Sequence, residues 1–209
     1  MKTALVIAAL TFSTLIACKK YDDVSTVQTL PHIELQGEKF ITINVGGSVT
    51  DDGATVVNDV PKEGNNSLTA TVNNVDVNTP GLYYMLYETP TANGFTVSAA
   101  RYIAVTDYAD RTDISGDYLR EATGAVVRVD RKSRALYSVT DMGGAGLNDV
   151  IYFVRLDDTT IELAPQYSET LHTEIYGLNG SFDFGPPMTL SYALVAPGYG
   201  TALRTFVKQ

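Results

Sequence analysis

The 209-residue chain has no tryptophan, a single cysteine, only two histidines and fewer basic than acidic side chains. Because Cys18 is the only cysteine, no disulfide can form within the chain, and burial must stabilise the fold. The formal net charge of -9 argues against nucleic acid as a partner, since phosphate contacts need clustered lysine and arginine. The densest basic stretch, residues 128–134, is interrupted by Asp130, which favours a solvated turn.

The sequence also lacks the motifs of common catalytic sites. It contains no His-Glu-x-x-His, no Gly-x-Ser-x-Gly and no phosphate-binding loop. His32 and His172 fall in different predicted domains, so a zinc site is not expected. Asp157 and Asp158 are adjacent and point apart in a hairpin, whereas glycoside hydrolysis needs two carboxyl groups that face one bond. We therefore predict that the protein is not an enzyme.

The first residues have the parts of an export signal. Lys2 precedes an uncharged, largely apolar run over residues 4–16, and small residues come before Cys18. The run is too short for a comfortable transmembrane helix, which needs about 20 apolar residues. Leu15-Ile16-Ala17-Cys18 resembles the lipobox of bacterial lipoproteins. This resemblance implies a signal peptide over residues 1–17, lipid attachment at Cys18 and the membrane as a partner through the acyl chains.

Residues 18–30 are polar and lack periodicity, which predicts a lipidated tether. The mixed charges of Lys19 to Asp23 loosely resemble the surface-export signal of lipoproteins of the Bacteroidetes type. The acidic residues come at the fourth and fifth positions after Cys18 rather than immediately behind it. We expect a protein that is lipid-anchored in the outer membrane, with the cell surface favoured over the periplasmic face.

The rest of the chain predicts an all-β protein, because alternating or β-branched runs recur about every ten residues between turn-forming residues. A short charged break at residues 108–113 divides it into predicted domains 31–107 and 114–209. Strands are expected near residues 32–36, 39–45, 54–57, 67–72, 81–87 and 96–106, and then near 116–120, 125–130, 135–140, 150–156, 160–163, 173–176, 181–184, 188–195 and 201–207.

Four segments of the first domain occur in an informative order: Val45–Ser48, Asp51–Ala54, Thr79–Tyr83 and Ala100–Val105. Together they resemble a bacterial immunoglobulin-like domain covering residues 31–107. The resemblance implies an immunoglobulin-like β-sandwich on a secreted or surface protein.

Three segments of the second domain, Ser115–Tyr118, Ala135–Gly144 and Arg204–Val207, resemble a C-terminal β domain of Bacteroidetes surface lipoproteins. Such proteins are commonly associated with polysaccharide utilisation. The fold class expected is therefore an immunoglobulin-like β-sandwich followed by a second antiparallel β-barrel or sandwich domain.

The predicted strand over residues 81–87 is apolar on both faces. Its odd-numbered side chains from Tyr83 share one face, at the period of two of a β-strand, and should enter the sandwich core. The even-numbered side chains from Leu82 to Leu86 form a second apolar face. We expect that face to contact another surface, with the neighbouring domain as the candidate.

A calcium site near Asp51 is a possibility that the sequence supports poorly. Asp51, Asp52, Asp59 and Glu63 supply only some of the 6–8 oxygen ligands that calcium takes. Asp51-Asp52-Gly53 is more simply a turn whose side chains cap local backbone groups. No metal or other cofactor is predicted.

Tyrosine is the residue type that points to a ligand. The second domain holds seven of the thirteen tyrosines, and a tyrosine offers an apolar face and a hydroxyl, which suit a sugar ring. Most should lie in the core, but Tyr167 and Tyr199 fall in polar stretches where loops would present them to solvent. Gly144 and Asn148 belong to a glycine-rich loop that is a further candidate, because its glycines permit close approach of a ligand, although a wide flexible turn is favoured there.

We therefore predict a non-catalytic surface lipoprotein that assists capture of a polysaccharide or oligosaccharide. In this hypothesis the first domain is a spacer and the second domain carries the binding face. The alternative is a structural or docking lipoprotein that binds a protein of an outer-membrane transport complex, with the apolar face of Leu82 to Leu86 as its contact surface.

Overall fold

The computed structural model describes residues 31–57, 66–91 and 94–209. Every regular element in these residues is a β-strand, which confirms the predicted all-β class. Within the same residues, no helix has the length and apolarity that crossing a membrane requires. The predicted signal peptide 1–17, the tether 18–30 with Cys18, and the side chains of Asp59 and Glu63 lie outside the described part of the chain.

Seven strands form two sheets in the first part of the chain. One sheet has the antiparallel order β1-β3-β4, and the other has the order β2-β7-β6-β5, in which β2 runs parallel to β7. Buried side chains such as Met85, Tyr87 and Ile103 fill the space between them. The strands are β1 (His32–Leu35), β2 (Phe40–Ile43), β3 (Ala54–Val57), β4 (Asn66–Leu68), β5 (Val72–Asn73), β6 (Gly81–Pro90) and β7 (Thr96–Val105).

The strand predicted near residues 67–72 is wrong as a single element. Its two ends belong to β4 and β5, which pair in different sheets. The chain therefore crosses from one layer of the sandwich to the other between Leu68 and Val72. The local composition cannot show such a crossing, because both pieces keep strand-forming residues.

Nine strands of the second part form one antiparallel sheet, in the order β12-β11-β10-β9-β8-β16-β15-β14-β13. The sheet curls, so that Thr160 beside β12 pairs with Ser181 of β14. The strands are β8 (Gly116–Arg120), β9 (Ala125–Ser133), β10 (Leu136–Thr140), β11 (Val150–Arg155), β12 (Ile161–Glu162), β13 (Gln166–Ser168), β14 (Thr173–Asp183), β15 (Thr189–Val195) and β16 (Leu203–Lys208).

Two sequence predictions for this sheet need correction. The strands expected at 173–176 and 181–184 are one strand, β14, whose pairing with β15 is interrupted by an irregularity between Leu178 and Ser181. The polar stretch at 166–168, expected to be a loop, is the short strand β13.

Aromatic side chains build the interior of the curled sheet. Tyr137 stacks on Phe153 with ring centroids 5.4 Å apart, and Tyr192 stacks on Phe206 at 5.3 Å. The Tyr192 hydroxyl donates to the carbonyl of Met142 at 2.6 Å, so this ring is buried with its polar end satisfied. These tyrosines belong to the core, as the sequence predicts for most of them.

The second apolar face of β6 packs against the curled sheet. Leu82, Tyr84 and Leu86 are buried in one cluster with Leu136 of β10 and Val154 of β11. This confirms the predicted second contact surface and identifies the neighbouring part of the chain as its partner. The hypothesis that this face serves another protein is therefore wrong, because the chain itself covers it.

Aromatic rings and hydrogen bonds extend this interface. Tyr102 of β7 and Tyr152 of β11 lie with ring centroids 4.1 Å apart, beside Phe40. The Tyr102 hydroxyl donates to the backbone carbonyl of Tyr167 at 2.7 Å. Thr42 donates to the carbonyl of Arg134 at 2.6 Å, across the same boundary.

The charged break at residues 108–113 is mostly exposed, but Asp110 within it is buried. Asp110 is only 3% exposed and forms a buried ion pair with Arg155. Its carboxylate also accepts from the amide of Ala135 at 3.1 Å and from the Tyr137 hydroxyl at 2.7 Å. The guanidinium of Arg131 lies 3.2 Å away. The division at residues 108–113 stays a prediction, but this segment is joined to the second part of the chain by its most buried carboxylate.

We expect Arg155→Met to lower the free energy of unfolding by about 3–5 kcal/mol, because Asp110 would stay buried without its closest cation. Urea denaturation followed by tyrosine fluorescence measures the change. Arg128→Met is the matched control, since Arg128 is half-exposed and its pairs with Asp117 and Asp130 are screened by solvent. Similar losses of stability in the two variants would contradict this role of Arg155.

Candidate functional site

A groove of about 700 Å³ lies where the two parts of the chain meet. Its walls come from β1, from the start of β7 and from the loop between β13 and β14. The apolar side chains that line it include Ile33, Leu35 and Val97, and the polar ones include Lys39, Ser98, Glu169 and His172. An apolar cleft with a few converging polar groups is the usual form of a small-ligand site.

Phe95 is the most exposed large apolar side chain of the described residues, at 64%, and it lines this groove. Hydrogen bonds to Thr91 hold its backbone. The Phe95 amide donates to Thr91 Oγ1 at 3.1 Å, and its carbonyl accepts from the Thr91 amide at 2.7 Å. The ring is therefore exposed to solvent while its backbone is hydrogen-bonded, which is an arrangement suited to stacking on a flat ligand.

An ion pair between the two parts of the chain closes one side of the groove. Lys39 Nζ lies 3.0 Å from Oε1 and 3.1 Å from Oε2 of Glu169. The Ala100 amide also donates to Glu169 Oε1, at 3.0 Å. Both charged side chains keep more than a third of their surface exposed, so a ligand in the groove can reach them.

Both histidines of the chain lie at this groove, although they belong to different predicted domains. His32 is exposed, with Nε2 3.3 Å from Glu34 Oε1. His172 is also exposed and has a left-handed backbone with φ of 51°. Across residues 31–57, 66–91 and 94–209, no three His, Cys, Asp or Glu side chains are arranged to hold a metal ion.

The predicted turn at Asp51 carries more than local caps. Asp51 accepts from the Gly53 amide at 2.8 Å, as the sequence predicts, and also from the hydroxyl of the buried Tyr87. The guanidinium of Arg101, which is fully buried, lies 3.6 Å from the same carboxylate. Burial raises the pKa of Asp51. The hydrogen bonds that Asp51 accepts from Tyr87, Gly53 and Ala70, together with the positive charge of Arg101, outweigh burial and bring the pKa below its ordinary value. The carboxylate is thus used within the fold.

Tyr167 does not lie in an exposed loop, and that expectation is wrong. It lies in β13 and is half-buried at the interface. Its hydroxyl accepts from Ser98 Oγ at 3.1 Å, and Ser98 lines the groove. Tyr167 therefore supports the groove from the second part of the chain rather than offering its ring to solvent.

The other three predicted ligand-binding residues lie together at a second place, around the loop that follows β10. Tyr199 donates its hydroxyl to Asp149 Oδ2 at 2.6 Å, and a side chain at Gly143 would collide with its ring. Burial and this hydrogen bond raise the pKa of the Tyr199 hydroxyl. Gly144 is buried, whereas Asn148 is exposed.

The loop itself is held in place, unlike the flexible turn that the sequence left open. Asp141 accepts from the amides of Ala145 at 2.9 Å and Gly146 at 2.7 Å. Arg120 donates to the carbonyl of Gly143 at 2.7 Å.

Phe95 and the Lys39–Glu169 pair are the features of the groove that the sequence analysis missed, because only the packing of the two parts brings them to one groove.

Comparison with known proteins identifies the first part of the chain. Residues 33–105 match the family model of the bacterial surface protein Ig-like domain. This confirms the predicted immunoglobulin-like resemblance over those residues. No curated protein matches the sequence.

The solved structures that the chain matches are distant. The crystal structure of the lipoprotein BT2262 from Bacteroides thetaiotaomicron is 22% identical, with a TM-score of 0.38, over 86% of this chain and 100% of that one. CBM51-2 with INT domains from Clostridium perfringens ZmpB, in complex with GlcNAc, is 17% identical, with a TM-score of 0.30, over 86% of this chain and 41% of that one.

We expect Tyr199→Phe to lower the free energy of unfolding by about 1–3 kcal/mol, because the buried Asp149 carboxylate loses its donor. Chemical denaturation at neutral pH measures the effect. Asn148→Ala, an exposed change in the same loop, should leave stability almost unaltered. If Tyr199→Phe is as stable as the unaltered protein, the hydrogen bond does not hold this loop.

Proposed function

We propose that this protein is a non-catalytic surface lipoprotein that captures glycan chains in the groove between its two parts. The observation that carries the proposal is the exposed ring of Phe95 beside converging polar groups in a cleft of about 700 Å³. A sugar ring has an apolar face bordered by hydroxyls. It is matched by an aromatic face with hydrogen-bonding groups around it.

The polar groups of the groove supply both kinds of partner that sugar hydroxyls need. Lys39 donates, Glu169 accepts, and Ser98 can do either. Their present hydrogen bonds hold them in position, and the exposed surfaces of Lys39 and Glu169 remain reachable. Such an ordered set of groups lowers the entropic cost of binding a flexible chain.

The groove also changes the roles that the sequence predicts for the two domains, a spacer and a binding face. Phe95 and Lys39 come from the first part of the chain, and Glu169 and His172 come from the second. In this proposal the immunoglobulin-like domain is therefore a contributor to the binding face and not only a spacer. The buried interface between the parts keeps the two sets of residues in register.

The location in the cell rests on different observations. The family model matched by residues 33–105 describes a bacterial surface protein domain. The lipobox-like sequence that ends at Cys18 supports an acyl anchor, and residues 18–30 supply a tether to the folded part. In this proposal the protein stands on the outer face of the outer membrane, where polysaccharides are met.

Native affinity gels that contain plant, host or microbial polysaccharides test capture without a prior choice of ligand. We expect at least one glycan to retard the protein. Phe95→Ala should weaken that retardation by about 10-fold or more, because it removes the stacking face. Val126→Ala, which shortens another exposed apolar side chain, should leave it unchanged. Absence of retardation by any glycan would overturn capture and favour a structural or docking role on a surface other than the buried face of Leu82 to Leu86.

Lipidation is tested separately. Cys18→Ala should abolish incorporation of labelled palmitate in the bacterial host and release the protein from the membrane fraction, because the sulfur that accepts the lipid is gone. Lys19→Ala, directly after the predicted lipidated cysteine, should keep the label. Equal labelling of the two variants would exclude Cys18 as the lipid attachment site. Protease treatment of intact cells then reports which face of the membrane carries the protein.

A further inference from the structure

Two arginines meet where strands β8 and β16 separate. The ladder between these strands contains only the pairs Leu119–Val207 and Tyr118–Lys208. Beyond these pairs, a cavity of about 270 Å³ lies between the end of β8 and the start of β16, and both Arg120 and Arg204 line it. A cavity of this size is much larger than the roughly 30 Å³ that one water occupies in the liquid.

Arg204 is only 7% exposed, and its hydrogen bonds are incomplete. Its two terminal nitrogens donate to the carbonyls of Ala202 at 3.0 Å and Gly200 at 2.9 Å. Its Nε is buried and has no hydrogen-bond partner in the described part of the chain. A buried donor that stays unpaired is costly, and it calls for an acceptor that the fold does not supply.

The charge of the two guanidiniums is also uncompensated. None of the ion pairs among the described residues involves Arg120 or Arg204. Arg101 and Arg155 also have a buried Nε without a hydrogen-bond partner, but each has a carboxylate beside its guanidinium, Asp51 and Asp110 respectively. Burial, together with the positive charge of Arg120, lowers the pKa of Arg204. An anion between the two guanidiniums would relieve both effects.

The carboxylates of this neighbourhood are used elsewhere or lie in solvent. Asp141 accepts from the amides of Ala145 and Gly146, and Asp149 accepts from the Tyr199 hydroxyl. Glu121 lines the cavity but is exposed and is not within ion-pair distance of a described cation. The two guanidiniums therefore have no carboxylate partner among the described residues.

We propose that Arg120 and Arg204 bind a carboxylate or sulfate group carried by a sugar. The planar guanidinium presents donors in the geometry that a carboxylate or sulfate accepts, and two of them can hold one anion from different sides. The proposal that an oxyanion binds here depends only on the two arginines. The proposal that a sugar carries this oxyanion rests on the proposed function. This site is separate from the Phe95 groove, so neutral and acidic sugars would bind at different sites.

The test follows the arginine Nε–Hε signals by NMR, at constant ionic strength, during titration with sodium glucuronate, sodium sulfate or the neutral glucuronamide. We expect the Arg204 signal to shift with glucuronate and with sulfate but not with glucuronamide. Arg120→Gln should weaken the binding of glucuronate by about 10-fold, because one charged hydrogen-bond donor set is lost. Arg128→Gln removes one exposed positive charge elsewhere and should keep the affinity.

Arg120 is the residue to change first, because it is half-exposed, whereas Arg204→Gln risks the fold. Thermal unfolding confirms that each variant is native before titration. No shift of Arg204 with either anion, or equal weakening in Arg120→Gln and Arg128→Gln, would overturn the site. A shift with sulfate alone would overturn the sugar carboxylate as its ligand. Retardation of the protein by neutral glycans does not depend on these arginines, so the two proposals fail separately.

Discussion

The apolar layer between the four-stranded sheet and the curled sheet is the constraint on which the rest of the molecule depends. Leu82, Tyr84 and Leu86 on one side meet Leu136 and Val154 on the other. Each fully buried side chain of this kind stabilises the folded state by about 1.5–3 kcal/mol. A disulfide cannot add to this stability, because Cys18 is the only cysteine of the chain. Because this layer fixes the two parts against each other, the groove, the Lys39–Glu169 pair and the Tyr102–Tyr167 hydrogen bond all exist.

Buried arginines divide into two kinds, and the difference directs attention to function. Arg101 and Arg155 each face an aspartate and an aromatic ring, so their charges are compensated within the fold. Arg120 and Arg204 donate to carbonyls and line one cavity, and although Arg204 also lies over the Tyr199 ring, neither forms an ion pair with a described carboxylate. Removing charges from water is costly, and a fold that keeps two of them without a carboxylate offers a site to an anion from outside.

The wrong prediction of an exposed loop at Tyr167 shows where the local sequence pattern and the structure disagree. The stretch from Pro165 to Glu169 is polar, which is typical of a loop. Gln166 is nevertheless buried, and its side-chain amide accepts from the Tyr152 amide at 2.7 Å and donates to the Tyr152 carbonyl at 2.8 Å. A polar side chain that takes the place of a neighbouring strand can be buried without cost from unpaired groups. No periodicity in the sequence signals such a pairing, because the partner is 14 residues away.

The sequence by itself determined the all-β class, most strand positions and the two apolar faces of β6, because a period of two is a local property of the chain. It also predicts lipid attachment at Cys18 and identifies the immunoglobulin-like segment, since both are carried by short motifs. Only the tertiary structure decided that Asp110 is buried in an ion pair and that Tyr167 and Tyr199 form hydrogen bonds within the fold. It also brought Phe95 to the same groove as Glu169, and Arg120 beside Arg204. These pairings join residues about 70 to 85 positions apart, as read from their numbers, and they depend on how sheets pack rather than on what neighbours along the chain prefer.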